Sequence, residues 1–188
     1  GLHYQQLMPW VKPCALEDGK VVVKEEEAFR VIPGDYVTTE DGTGIVHIAP
    51  TFGADDAKVA KDAGIPSLFI IDKAGDTRPM VDFTGKYFVK EDMNEEFASL
   101  CVQESYWKHS GDFVKNAYAP KYNQGGKYDE KAASKDMDLN VVLCLEMKEE
   151  GSAFKIEKHV HNYPHCWRTD KPVLYYPLDS WFIKSTAK

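Results

Sequence analysis

With 188 residues, 43% of them hydrophobic and 12% aromatic, the chain suits one domain with a real core, or one domain with an appended excursion. A formal charge of −7 excludes a strongly basic nucleic-acid surface as a bulk property, so any RNA contact would depend on phosphate-binding groups elsewhere in a larger protein. No apolar run approaches the ~20 residues that span a bilayer, and the first residues form no signal peptide.

The four cysteines, Cys14, Cys101, Cys144 and Cys166, are scattered without a CxxC pair, which suggests reduced thiols and a cytoplasmic location. The first residue is not Met and the last five, KSTAK, give no obvious stop. Both lead to the expectation of a piece of a larger protein.

Residues 1–20 read as irregular, punctuated by Pro9, Pro13 and Gly19. Residues 21–23 and 29–32 are β-like, and Pro33-Gly34-Asp35 signals a turn before residues 36–38. Glu40-Asp41-Gly42 is a second turn. Residues 45–48 predict a short buried strand stopped by Pro50. A helix is expected over 55–63, with Asp55 and Asp56 at its positive end and Gly64 past its last turn. An apolar strand over 67–71 and a turn over 72–76 follow. A second helix is expected over 93–102, with Asn94 as a candidate N-cap.

Residues 105–137 change character, rich in Tyr, Lys, Gly, Asn and Asp, and read as a peripheral insertion or long loop within a single domain spanning 1–188. A third helix is expected over 140–150, with Val141, Leu145 and the Lys148 stem on one side and Gly151 at its end. Residues 154–160 alternate as a strand would, and 164–183 are aromatic and β-like. There is no internal repeat. The expected class is α+β, with a barrel-like, mostly antiparallel β core and peripheral helices.

Chemistry concentrates at residues 42–56, GTGIVHIAPTFGADD. Alone, His47 reads as a strand histidine and Asp55-Asp56 as a helix start. Together, with Gly42, Gly44 and Gly53 allowing close backbone approach, they make a candidate ligand site. His159, His161, His165 and Cys166 form a second cluster, but their spacing matches no zinc pattern. Nothing marks a base or oxyanion site that would make Cys166 a nucleophile. Phosphate loops and aromatic RNA-binding signatures are absent.

The 42–56 run resembles the GTGxVHxAP…GxDD signature of the editing domain shared by isoleucyl-, valyl- and leucyl-tRNA synthetases. GLHYQQLMPW at 1–10 is similar to that family's GxxYxPLFxY segment, with Gln6 and Met8 as departures. DAGIP at 62–66 resembles the element after the acidic pair. HNYPHCWRTDKPVLYY at 161–176 and SWFI at 180–183 resemble the YPxCWRxDxPLxY…SWF segment of the isoleucyl enzymes, so those are favoured over the valyl and leucyl ones.

The resemblance covers nearly the whole chain and is weakest across 105–137. It implies hydrolysis of a wrong aminoacyl ester on the tRNA 3′ end by a positioned water, with Asp56 as the acid that binds the substrate ammonium. It implies His47 bordering the side-chain pocket, and Asp55, Thr43 and Gly42 contributing to substrate binding. No metal and no cofactor are implied for this domain. ATP and Mg would serve the synthetic half of such an enzyme, whose HIGH and KMSKS motifs do not occur here. The implied partners are a mischarged tRNA 3′ end and the rest of the parent synthetase. The family's threonine-rich strand, which forms the other wall of the pocket, has no counterpart, since Thr38-Thr39 stands in a different context. That leaves a non-catalytic binding module as the competing expectation.

Overall fold

The computed structural model describes residues 1–40, 42–158, 160–178, 180–181 and 183–186. Its first regular element is a hairpin, strand β1 (Cys14–Glu17) paired antiparallel with β2 (Lys20–Val23), Cys14 opposite Val23. Asp18 and Gly19 turn it with φ of 50° and 75°. Two successive positive φ values are what a two-residue hairpin needs, and Asp-Gly supplies them at little cost.

Helix α1 (Ala54–Asp62) follows, with Asp55 and Asp56 in its first turn. It ends on Gly64, whose φ is 65°. Ile65 N–H donates to Ala60 O at 2.8 Å and Gly64 N–H to Lys61 O at 3.1 Å, the paired closure of a glycine-terminated helix. The Arg30 guanidinium also donates to Ala63 O, placing a cation at the negative end of the helix.

Strand β3 (Ile70–Ile71) pairs antiparallel with β4 (Thr77–Arg78). The Asp72 carboxylate organises the intervening turn, accepting from Ala74 N–H at 2.9 Å, Asp76 N–H at 3.0 Å and Arg78 Nε at 2.9 Å. Burial pushes the Asp72 carboxyl up, but these donors, Arg78 foremost, hold it below its ordinary value. Helix α2 (Glu95–Cys101) is capped by Asn94, whose side chain accepts Phe97 N–H at 3.0 Å. Short α3 (Glu130–Ala133) and the longer α4 (Leu139–Glu149) complete the set.

The core gathers Trp10, Val11, Cys14, both β3 isoleucines, Met93, Phe97, Cys101 and Tyr106. Trp10, Tyr87 and Tyr106 meet edge to face, with centroids 5.4–6.2 Å apart. All four cysteines are free thiols. Hydrogen bonding between Cys14 and Cys101, with burial, pushes the Cys14 thiol up.

Several sequence expectations meet a different outcome. Residues 1–20 hold strand β1 rather than irregular chain alone. Among the described residues the sheets are two separate two-stranded hairpins, and no barrel closes. Residues 45–48 and the described residues of 154–160 form no ladder, because a segment becomes a strand only with a partner, and none is present among the described residues; His159, within the second run, lies outside them. Residues 29–31 meet the N-terminal segment in an isolated antiparallel bridge, His3 opposite Arg30, with Tyr4 N–H donating to Phe29 O at 2.8 Å and Val31 N–H to Leu2 O at 2.7 Å.

The segment 105–137, expected at the periphery, sends Tyr106 into the core fully buried. Its phenol donates to Phe88 O at 2.8 Å, so both its apolar and polar parts are satisfied inside. Helix α4 faces the protein with Leu139, Val142, Leu143 and Glu146, one stripe of its surface. Val141 and Leu145, expected to share an apolar side, are exposed. No helix among the described residues is long and apolar enough to cross a membrane.

Candidate functional site

The glycine-rich motif folds as a turn, an exposed extended run and a tight loop leading into α1. Gly42 and Gly44 take φ of 82° and 74°, conformations that disfavour any side chain. A Cβ on Gly44 would also meet the Thr39 methyl at 3.0 Å. Thr43 bridges this turn locally: its hydroxyl oxygen accepts Ile45 N–H at 3.3 Å. Ile45 is 76% exposed, and His47 is exposed as well.

The loop 49–53 then closes on itself. Ala49 O accepts N–H bonds from Phe52 and Gly53, each at 3.0 Å. Ala49 N–H donates to Asp56 Oδ2 at 2.9 Å, so the half-buried carboxylate is tied back to the chain two residues beyond His47. Asp56 Oδ1 has no hydrogen-bond partner among the described residues. Asp55 points from the same helical turn and is exposed.

The structure therefore brings Asp56 to the run that carries His47, with Oδ2 on Ala49 N–H and no hydrogen-bond partner for Oδ1 among the described residues, beside a helix N-terminus. This arrangement suits a small cation, since a carboxylate receives a charge-assisted hydrogen bond from an ammonium group. Gly42, Thr43 and His47 lie along the same exposed run without enclosing it.

The second sequence cluster resolves differently. Cys166 N–H donates to Lys171 O at 2.8 Å, and Asp170 N–H donates to Cys166 O at 2.8 Å, closing a tight turn. The Asp170 carbonyl lies 2.7 Å from His165 Nδ1. The Thr169 hydroxyl, with the Arg168 and Thr169 amides, holds the Cys166 thiol below its ordinary value. His159 lies outside the described residues. Among the described residues, no three His, Cys, Asp or Glu side chains gather closely enough to hold a metal.

One cluster has no signature in the sequence. His109, 4% exposed, lies under α4 with Nε2 3.0 Å from Glu146 Oε2 and Nδ1 3.2 Å from Asp112 Oδ2. Its ring packs on Trp10 at 5.4 Å. Lys108 pairs with the other Glu146 oxygen. These groups border a cleft of about 370 Å³, also lined by Phe113, Asn116 and Leu139. Glu146 is 37 residues from His109, a separation no local pattern reveals. The cluster fastens α4 to the core.

No family model matches the chain, and no solved structure matches it. Curated sequences do. Isoleucine–tRNA ligase of Bacteroides thetaiotaomicron is 63% identical over all 188 residues. The ligases of Porphyromonas gingivalis and Clostridium tetani are 53% and 38% identical, again across the whole chain. The chain spans 16% of the first of these relatives, 15% of the second and 12% of the third. End to end, it is homologous to one segment of the isoleucine–tRNA ligases.

Proposed function

We propose that this segment is the editing domain of an isoleucine–tRNA ligase and that it hydrolyses valyl esters wrongly formed on the tRNA 3′ end. The observation that carries the reading is Asp56. Its carboxylate is fixed on one oxygen by Ala49 and, among the described residues, has no partner on the other, inside the GTGIVHIAP…GADD run. The similarity of the whole chain to isoleucine–tRNA ligases favours this over a valyl or leucyl enzyme.

The chemistry explains why such a domain is needed. One methylene in an apolar pocket is worth only ~1–3 kcal/mol, too little to exclude valine, and isoleucyl-tRNA synthetase is itself the standard example of this limit. A second pocket that excludes isoleucine by size removes the error. In it, Asp56 Oδ1 receives the α-ammonium of the valyl ester and fixes the ester carbonyl relative to a water. His47 borders the side-chain pocket and rejects the larger isoleucyl group. Asp55, Thr43 and Gly42 line the approach. The water attacks the ester carbonyl, the C–O bond to the ribose breaks, and the ribose oxygen takes a proton. Positioning supplies most of the rate.

The fold proposed for this segment within the whole enzyme is the barrel-like α+β editing fold, in which unpaired runs such as 45–48 find partners in the rest of the polypeptide. The partners are the tRNA 3′ end and the remainder of the ligase, in the cytoplasm. ATP and Mg serve the remainder. A second reading, a non-catalytic module, is favoured by the open exposure of Ile45 and His47, which wall no enclosed pocket by themselves.

The test is Asp56→Ala in a full-length ligase carrying this segment. Losing a charge-assisted hydrogen bond at about 1.5–3 kcal/mol lowers valyl-tRNA deacylation by roughly 10- to 100-fold, with isoleucine activation intact. Deacylation at the unaltered rate would remove Asp56, and with it this reading.

A further inference from the structure

We propose that Thr51 and Gly53 are positioning residues that set the Asp56 carboxylate through the 49–53 turn; this rests on the editing reading above. The Thr51 hydroxyl donates to Leu68 O at 2.5 Å, 17 residues along the chain. Leu68 lies two residues before Ile70, which is fully buried in β3. The hydroxyl therefore ties an otherwise lightly held turn to chain that the core has already fixed. The same turn presents Ala49 N–H to Asp56 Oδ2 at 2.9 Å and gathers Phe52 and Gly53 N–H onto Ala49 O. A continuous set of bonds thus runs from the core strand through Leu68, Thr51 and Ala49 to the acid.

Gly53 acts by what it lacks. A Cβ there would stand 2.8 Å from Asp56 Oδ2, 2.9 Å from its Cγ and 3.0 Å from its Cβ. Because the whole short side chain is in the way, it cannot yield by moving only its tip. Any larger residue at 53 drives the carboxylate off Ala49. The Gly53 backbone, with φ of −102° and ψ of 126°, is one that alanine adopts without strain, so the demand for glycine comes from Asp56 and not from the backbone.

The sequence reading assigned Gly53 only backbone closeness and gave Thr51 no role. Thr51 keeps its bond if replaced by serine and loses it if replaced by valine, which has nearly the same shape but no donor. The two substitutions therefore separate the hydrogen bond from packing.

The experiment uses a full-length ligase carrying this segment, with valyl-tRNA as substrate, and this 188-residue chain for spectroscopy. Thr51→Val and Gly53→Ala are expected to lower kcat for deacylation by roughly 10- to 100-fold, as a displacement near 1 Å does. Thr51→Ser is expected to restore most of it. In the isolated chain, the Ala49 amide proton, bonded to Asp56 Oδ2, is expected to exchange slowly with solvent and to exchange faster in Thr51→Val and Gly53→Ala, while Thr51→Ser retains the slow exchange. If Asp56→Ala lowers deacylation as expected but Thr51→Val and Gly53→Ala do not weaken it, the positioning role is overturned and the editing reading stands. If Asp56→Ala itself leaves deacylation intact, both fall. Equal losses in Thr51→Val and Thr51→Ser would also overturn the role of the hydroxyl.

Discussion

Two regions of this molecule are built on opposite terms. Around Phe97, Ile70 and Tyr106 the chain buries its aromatic and aliphatic side chains, and the Tyr106 phenol is satisfied inside by Phe88 O. Across residues 42–56 the reverse holds. The backbone is bent by two positive-φ glycines, Ile45, Val46 and Phe52 are exposed, and the organised groups are a carboxylate and the turn that holds it. Stability is local to the first region. The second is tied toward it through Thr51 and Leu68, while Arg30 holds the far end of α1 at Ala63 O.

The first way to break this contrast is to damage the packed region. Phe97 is fully buried on α2. Phe97→Ala is expected to destabilise the chain by about 3–5 kcal/mol, through lost burial and the cavity left behind. Urea unfolding checks it. A loss well under 1 kcal/mol would mean that the core is loosely held and that the comparison is misdrawn.

The second way addresses the open region. If residues 42–56 need walls from the rest of a ligase, this chain alone deacylates valyl-tRNA at least 100-fold more slowly than a full-length ligase carrying it. Each ~1.4 kcal/mol of lost positioning is worth a factor of ten. The net charge of −7 adds little attraction for tRNA phosphate. Single-turnover deacylation at matched concentrations measures the ratio. Equal rates would place the entire pocket within these 188 residues.

The same contrast decides how much could be read from sequence. Local chemistry was legible: Asp55-Asp56 and Gly64 bound α1, Asn94 caps α2, and Gly151, with φ of 76°, follows α4. The candidate acid could be named because its motif is contiguous, and the structure adds its bond to Ala49 N–H, while its role belongs to the proposal. Asp18-Gly19 is a two-residue hairpin turn by residue type, a local signal that reading residues 1–20 as irregular passes over. The strands expected at 45–48 and 154–160 show the limit of periodicity. Alternation says which face would be buried, and only a partner makes a ladder. The His109–Glu146 contact and the Thr51–Leu68 bond join residues 37 and 17 apart, so each exists only once the fold has formed.

A third experiment sharpens the open region by selectivity. His47 is exposed on the run beside the Asp56 loop. In a full-length ligase, His47→Ala is expected to enlarge the side-chain pocket. Correctly charged isoleucyl-tRNA then becomes a substrate, with its deacylation rising about tenfold. That matches the ~1–3 kcal/mol that discrimination over one methylene provides. Unchanged sparing of isoleucyl-tRNA would leave His47 as an exposed loop residue with no part in selection.

The smallest effect probes what fastens α4 to the packed region. Lys108 bonds Glu146 and holds its carboxyl below the ordinary value of 4.5; partial burial opposes this, and the His109 bond adds to it. A carboxyl depressed in the folded state binds fewer protons there than in the unfolded chain. Its contribution is therefore complete above the unfolded value and is lost as pH falls through the lower folded one. Urea midpoints of the native chain and of Glu146→Gln are expected to differ near pH 6 and to converge at pH values below the ordinary carboxylate range. Lys108 is mostly exposed, so the difference is small and shrinks further in salt. A midpoint difference that stays constant between those pH values would show that Glu146 holds α4 by shape and neutral hydrogen bonding, not by its charge.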